Sequence, residues 1–216
     1  MRRLAVILSL LTLLLPVAAW ADGIQLTNSS GMVIFNTVNG VTTMSTTGSE
    51  LKSYGNVQAA KGHSLGTVNF STGAFLGSSI WSSGSFSSTG STFDVVGVGP
   101  WVKQLTGQSK NPVTLFSGGF TGPINWTLVS QNHTQYIFTL SGAISGTYYT
   151  GRMVTGTTSQ TIYMYTDQEP YDHKGGIHLG KSQLATPEPG ALGLLGTGLI
   201  TLAGGLRRKI RAGLSS

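Results

Sequence analysis

The chain has 216 residues, no cysteine and a formal net charge of +6. Without cysteine it has no disulfide framework, no thiol nucleophile and no thiolate metal site. The positive charge is concentrated at the two ends, and residues 22–186 are close to neutral. A basic patch on a folded surface is therefore not indicated, and we predict no nucleic-acid partner.

The first 21 residues have the three parts of a secretory signal peptide. Arg2 and Arg3 form a positive segment, residues 4–15 are apolar, and Ala19 and Ala21 flank Trp20 in an A-x-A cleavage pattern. The alternatives are a retained anchor or a buried helix, but the apolar stretch is short for a membrane span. We predict a signal peptide at residues 1–21, cleaved by signal peptidase before export.

Residues 22–184 predict one all-β domain. Segments in which apolar side chains occupy every second position recur between Gly-, Ser-, Asn- and Pro-rich breaks, which is typical of strands. Without helices to cross between parallel strands, the pattern favours an antiparallel β-sandwich or barrel-like domain. The apolar positions that define it are Val33 with Phe35, Val68 with Phe70, Phe93 with Val95, Ile124 with Trp126 and Leu128, Tyr136 with Phe138 and Leu140, and Ile162 with Met164.

Two local predictions accompany this fold. Asn39 and Gly40 lie between Val38 and Val41, and an Asn-Gly pair between strands predicts a two-residue hairpin turn. No window of the domain sustains the apolar spacing of a helix. The nearest candidate, Ser49 to Lys61, is predicted to be a loop or a single turn.

Ser64 lies in "GHSLG", which fits the G-x-S-x-G pattern of serine hydrolases. That pattern places a nucleophile only where a strand precedes the serine and a helix follows it. Here the downstream residues "TVNFST" predict a strand. We therefore interpret Ser64 as a turn residue, with a serine hydrolase as a third hypothesis for the protein.

Aromatic residues supply candidates for sugar binding. Trp81 and Trp101 lie beside Gly and Pro breaks, and Tyr148 belongs to the same set of aromatic residues. Aromatic faces pack against the C–H faces of sugar rings, although Trp and Tyr are also common in β cores. Trp126 alternates in phase with its apolar neighbours and is assigned to the core. Trp81, Trp101 and Tyr148 are the candidate glycan-binding residues.

The segment "DQEPYDHKGGIH" concentrates carboxylates and imidazoles in a domain that has few charges. Such side chains bind divalent cations, but their spacing fits neither a calcium loop nor a zinc signature. Polar residues also collect in loops, so both interpretations stay open. We predict no metal and no other cofactor, and the candidate ligands are Asp167, Glu169, Asp172, His173 and His178.

Residues 185–212 form a separate C-terminal segment. Pro187, Glu188 and Pro189 precede an uncharged apolar run over residues 190–206, and Arg207, Arg208 and Lys209 follow it. As a helix the run would be about 25 Å long, marginal for a hydrocarbon core of about 30 Å. Basic residues after an apolar run stay in the cytoplasm. We predict a transmembrane helix at 190–206, with the preceding domain outside.

This order of features resembles the PEP-CTERM protein-sorting signal of Gram-negative bacteria. The resemblance covers about the last thirty residues. It implies recognition by an exosortase, a membrane-embedded transpeptidase-like enzyme, with transient residence in the inner membrane and processing near Pro187 to Pro189. It also implies a setting in the cell envelope or exopolysaccharide layer, because such sorting systems accompany exopolysaccharide production.

We therefore predict an exported, non-enzymatic protein of the cell surface or the exopolysaccharide matrix. A carbohydrate-binding module or adhesin is the alternative. A hydrolase that uses Ser64 or the Asp167 to His178 cluster is third. The partners predicted are signal peptidase, an exosortase-type enzyme and exopolysaccharide.

Overall fold

A computed structural model describes residues 23–109, 111–165 and 174–185. Residues 22–186 form one compact unit. The predicted signal peptide, the PEP segment and the 190–206 helix lie outside the described residues, and so do Asp167, Glu169, Asp172 and His173.

Most of the described chain, 64%, is in β-strands, as the alternating pattern predicts. One short helix, α1 (Pro100–Thr106), lies between the eighth and ninth strands. The strands are β1 (Gly23–Ser29), β2 (Met32–Val38), β3 (Val41–Thr47), β4 (Glu50–Tyr54), β5 (Val57–Gln58), β6 (Gly66–Ser71), β7 (Gly84–Phe86), β8 (Thr92–Gly97), β9 (Val113–Phe120), β10 (Ile124–Gln131), β11 (Gln135–Tyr148), β12 (Met153–Tyr165) and β13 (Lys174–Ala185).

Eight antiparallel strands close into a barrel in the order β1, β4, β6, β8, β9, β11, β12 and β13, and β13 pairs again with β1. Further strands extend the sheet beyond the eight that close the barrel. β2 pairs with the start of β13, β3 with β2, and β10 with the first half of β11. Of the two architectures that the sequence leaves open, the barrel is therefore the one found.

β11, β12 and β13 run without interruption along the barrel, whereas the neighbouring walls consist of shorter strands placed end to end. β1 and β2, for example, both pair with β13 and are separated by Ser30 and Gly31, which have positive φ angles of 62° and 88°. The predicted turn at Asn39 and Gly40 is also present, with φ angles of 52° and 78°, as a hairpin of this type requires.

The barrel interior is packed with the apolar side chains that the period-two pattern predicts. Val33, Phe70, Phe93 and Ile124 are all almost fully buried. Trp126 is completely buried, as predicted, and its ring stacks on Phe138 with centroids 4.2 Å apart. Burial of this apolar surface, at about 25 cal/mol per Å², is the main force that holds a cysteine-free chain in this fold.

Two local predictions are wrong. Ser49 to Lys61, predicted as a loop or turn, contains β4, a tight turn and β5. Here "ELKSY" has charged residues at alternate positions, which face outward while Leu51 and Tyr54 are buried. The helix α1 was not predicted because seven residues are too few to show helical periodicity. It begins with Pro100 and ends at Gly107 in the left-handed conformation.

Candidate functional site

The three aromatic candidates do not lie on one surface. Trp81 packs against Tyr136 at the start of β11, with ring centroids 5.1 Å apart. Trp101 and Tyr148 lie near the other end of that strand and both contact Tyr54. Two of the candidates thus come together around a residue that the sequence did not single out, and the third is separate.

The polar atoms of the Trp101 and Tyr148 group are bonded within the protein. The Trp101 indole Nε1 donates to the carbonyl oxygens of Leu65 and Val98, at 3.1 and 2.8 Å. The Tyr54 hydroxyl donates to the Tyr148 hydroxyl. Burial, reinforced by this hydrogen bond, raises the pKa of Tyr54 above its ordinary value, and burial also raises the pKa of Tyr148. The group joins α1 to the barrel end, so these atoms have a structural role.

Ser64 is exposed in the loop before β6 (Gly66–Ser71). A strand, not a helix, follows it, which matches the prediction made from the downstream residues. The strand–turn–helix geometry that exposes a nucleophile near an oxyanion hole is therefore not formed around Ser64.

His178 is the one candidate metal ligand that the structure describes. It lies exposed on β13 and stacks on Tyr163 of β12, with ring centroids 4.6 Å apart. Within the described part of the chain, no three metal-ligating side chains come together. The other candidate ligands fall outside that part, so the absence of a metal stays a prediction.

A polar groove lies on the outer face of the barrel, and we call it the outer groove. Its volume is about 760 Å³. β1, β13, β12, β11 and β10 lie side by side beneath it. The register of these strands aligns one outward-facing side chain from each into a row across the groove, in the order Thr27, Lys181, Ser159, Ser141 and Asn125.

A second row lies beside the first. Gln25 pairs with Gln183, which pairs with Thr157, and all three side chains are exposed. Gln183 and Thr157 also line a neighbouring depression of about 440 Å³, so the concave surface continues in that direction. None of the described residues that line the outer groove is acidic.

The side chains in these rows are chemically suited to a polyhydroxylated ligand. Ser and Thr hydroxyls both donate and accept hydrogen bonds, and Asn and Gln amides do the same with separate atoms. Apart from the 2.7 Å bond between Thr27 Oγ1 and Ser53 Oγ, no side-chain hydrogen bond joins the row residues to described partners. The rows therefore present donors and acceptors to whatever occupies the groove.

Beneath the outer groove, the inward faces of β1, β12 and β13 carry a second set of polar side chains, which is completed by Ser49 from the turn between β3 and β4; we call this set the inner cluster. Its five members are Asn28, Ser49, Thr158, Gln160 and Ser182, each at most 4% exposed. Asn28 Nδ2 donates to Gln160 Oε1 and to Ser49 Oγ, both at 2.8 Å. Every member is hydrogen-bonded within the cluster, as buried polar groups require.

Sequence reasoning missed both polar sets, although a signal was present. In "TGTTSQ" of β12, hydroxyl or amide side chains occupy consecutive positions, so a strand there must place polar groups on both faces. β13 was not recognised as a strand, because "KGGIHLGKSQLA" contains three glycines and little alternation.

Comparison with known proteins adds one finding, at the C-terminal end of the chain. Residues 185–209 match the family model of the PEP-CTERM protein-sorting motif. The chain carries a PEP-CTERM sorting motif. The match covers the predicted Pro187, Glu188, Pro189, Arg207, Arg208 and Lys209, and it implies an exported protein that is sorted by an exosortase-type system. No curated protein and no solved structure matches the chain significantly.

The helix at 190–206 stays a prediction. Within residues 23–109, 111–165 and 174–185, no helix has the length and apolar character needed to cross a membrane.

Proposed function

We propose that this protein is a non-enzymatic component of the cell surface or the exopolysaccharide matrix, and that it binds a glycan through its outer groove. The PEP-CTERM motif supports the location, because the motif implies export and exosortase-type sorting. The near-neutral barrel with a hydroxyl- and amide-rich face suits a hydrated polysaccharide environment.

The observation that carries the proposal is the pair of polar rows on the outer groove. The sequence alone favoured Trp81, Trp101 and Tyr148 for a glycan-binding role. Trp101 and Tyr148 instead use their polar atoms in bonds to the protein, and Trp81 lies elsewhere. The outer groove offers aligned donors and acceptors from five adjacent strands, so it is the stronger support for glycan binding.

The location is tested by the intact mass of the protein recovered from its host, measured separately in the inner membrane, the surface fraction and the medium. We expect a product that begins near Asp22 and ends near Pro187 to Pro189, found at the surface or in the medium. A full-length C-terminus held in the inner membrane would contradict the proposal. Glycan binding is tested by co-sedimentation of the same product with exopolysaccharide from the host.

A further inference from the structure

We propose that the outer groove binds an extended acidic polysaccharide, and that Lys181 contacts an acidic group of that polymer. The inference rests on the proposed function and gives it a ligand class and a contact residue. Three properties of the groove lead to it: its length across the strands, the chemistry of its rows, and the position of Lys181, the one basic residue among its described lining.

The first property is length. The first row crosses five neighbouring strands, and adjacent strands lie about 4.8 Å apart, so the row extends over about 19 Å. A single sugar ring would occupy only a small part of such a row. A chain of several rings, lying across the strands, would meet one polar side chain at each strand it crosses.

The second property is the mixed character of the side chains. Thr27 and Thr157 present a methyl group beside each hydroxyl, and Gln25 and Gln183 present methylene groups beside each amide. A sugar polymer has the same mixture, with C–H groups next to hydroxyls. Its hydroxyls can exchange hydrogen bonds with the rows while its C–H groups cover the carbon atoms between them.

The third property is the charge. Lys181 is the second residue of the first row and lies between Thr27 on β1 and Ser159 on β12. In the part of the chain that the structure describes, the ion pair found joins Lys52 to Glu50, and Lys181 has no carboxylate partner. With no acidic residue among the groove's described lining, a ligand carboxylate would supply the missing counter-charge. A neutral polymer would leave Lys181 without one.

The test compares the processed protein with its Lys181→Gln variant, both purified from the host. Polygalacturonate is the acidic probe and dextran is the neutral probe. We expect Lys181→Gln to bind polygalacturonate about three- to fivefold more weakly, because one exposed charge contact is lost. Added salt should weaken wild-type binding more than variant binding, since it screens the same contact.

Lys61→Gln is the matched control, because Lys61 is exposed in the loop between β5 and β6 and does not line the groove. It should bind polygalacturonate as the wild type does. A second variant, Ser141→Ala with Ser159→Ala, removes two row hydroxyls without changing charge and should also weaken binding. All variants should keep the wild-type unfolding temperature, because the changed side chains are on the barrel surface.

The inference is overturned if Lys181→Gln binds polygalacturonate as tightly as the wild type, or if Lys61→Gln loses as much affinity. It is also overturned if dextran binds equally well and its binding is insensitive to Lys181. If the protein is nevertheless processed and found in the matrix, these results would not contradict the proposed function. An unprocessed protein in the inner membrane would instead defeat the proposed function, whatever its affinity for polygalacturonate.

Discussion

β12 and β13 place hydroxyl and amide side chains on both of their faces, and the two faces differ in how those side chains are bonded. On the inward face, Thr158, Gln160 and Ser182 are buried and hydrogen-bonded to protein partners. On the outward face, Ser159 and Lys181 are exposed and have no described side-chain partner. Neighbouring residues along a strand thus differ in burial and bonding, because successive side chains of a strand point to opposite faces of the sheet.

The difference in bonding between the two faces follows from the cost of burying polar groups. A buried polar group without a partner costs the full desolvation penalty, so the inner cluster has to be complete for the barrel to be stable. An outward polar group is solvated by water in the absence of a ligand, so it can remain without a protein partner at little cost. Substitutions on the inner face should therefore change stability, and substitutions on the outer face should change binding.

The largest effect is expected for Gln160→Leu. The Gln160 amide accepts from Asn28 at 2.8 Å and donates to Thr158 at 2.9 Å, so its loss leaves buried partners unsatisfied. We expect the free energy of unfolding to fall by about 2–3 kcal/mol. Urea denaturation measures this change. Ser159→Ala, one position along the strand, is the control, and equal losses for the two variants would contradict the difference between the faces.

Gly180→Ala should have the next largest effect. A Cβ atom on Gly180 would lie 2.0 Å from Gln160 Oε1 and 2.1 Å from Asn28 Oδ1, so the inner cluster would have to rearrange. We expect a loss of about 1–2 kcal/mol in the free energy of unfolding. Gly122→Ala is a suitable control, since no atom lies within 4 Å of its added Cβ. A Gly180→Ala variant as stable as Gly122→Ala would show that the cluster is loosely packed.

A third, smaller effect concerns pH. Burial, reinforced by the bond to Tyr148, raises the pKa of Tyr54 above its ordinary 10.0. The contribution of Tyr54 to the free energy of unfolding is therefore fully present below pH 10. It is lost as the pH rises further, because Tyr54 ionises at a lower pH in the unfolded chain than in the folded protein. Tyr54→Phe should lower the free energy of unfolding by about 1 kcal/mol at pH 7.

The loss of stability at alkaline pH is the measurement that is specific to Tyr54. The free energy of unfolding, measured by denaturation between about pH 8 and pH 11, should fall less steeply with pH for Tyr54→Phe than for the wild type. Some decline should persist in the variant, because burial also raises the pKa of Tyr148. Parallel curves for the two proteins would mean that the Tyr54 hydroxyl is not protected from ionisation in the folded state.

The smallest effect on stability is expected on the outer face. Ser141→Ala and Lys181→Gln should each change the free energy of unfolding by at most about 0.5 kcal/mol, which is typical of surface substitutions. Thermal unfolding of each variant checks this. A loss above about 1.5 kcal/mol in either variant would indicate that the row is part of the structural framework and not a free surface.

Much of the fold follows from local patterns. Alternation in "MVIFNTV", "TVNFST" and "INWTLVS" predicts β2, β6 and β10, and the phase of Trp126 predicts its burial. These signals succeed because each strand has one face in the core. β13 could not be predicted in this way because it has few β-branched residues. β5 could not be predicted because two residues are too few to show alternation.

The candidate site was harder to predict because it depends on register between distant parts of the chain. Thr27 and Lys181 come from the first and last strands, and they meet only when the barrel closes. Aromatic residues beside Gly and Pro breaks were predicted as surface groups, yet the Trp101 indole donates to two backbone carbonyls. Local sequence gives no information on such long-range partners. The sorting motif was predictable because its residues are contiguous and do not depend on the fold.

The most direct test of a ligand-binding outer face is an NMR titration of the isotope-labelled processed protein with polygalacturonate. We expect the largest amide shift changes at Ser141, Ser159 and Lys181, with little change at Trp81 and Trp101. Shifts confined to the aromatic residues, or no shifts at saturating probe, would contradict the assignment of glycan binding to the outer groove.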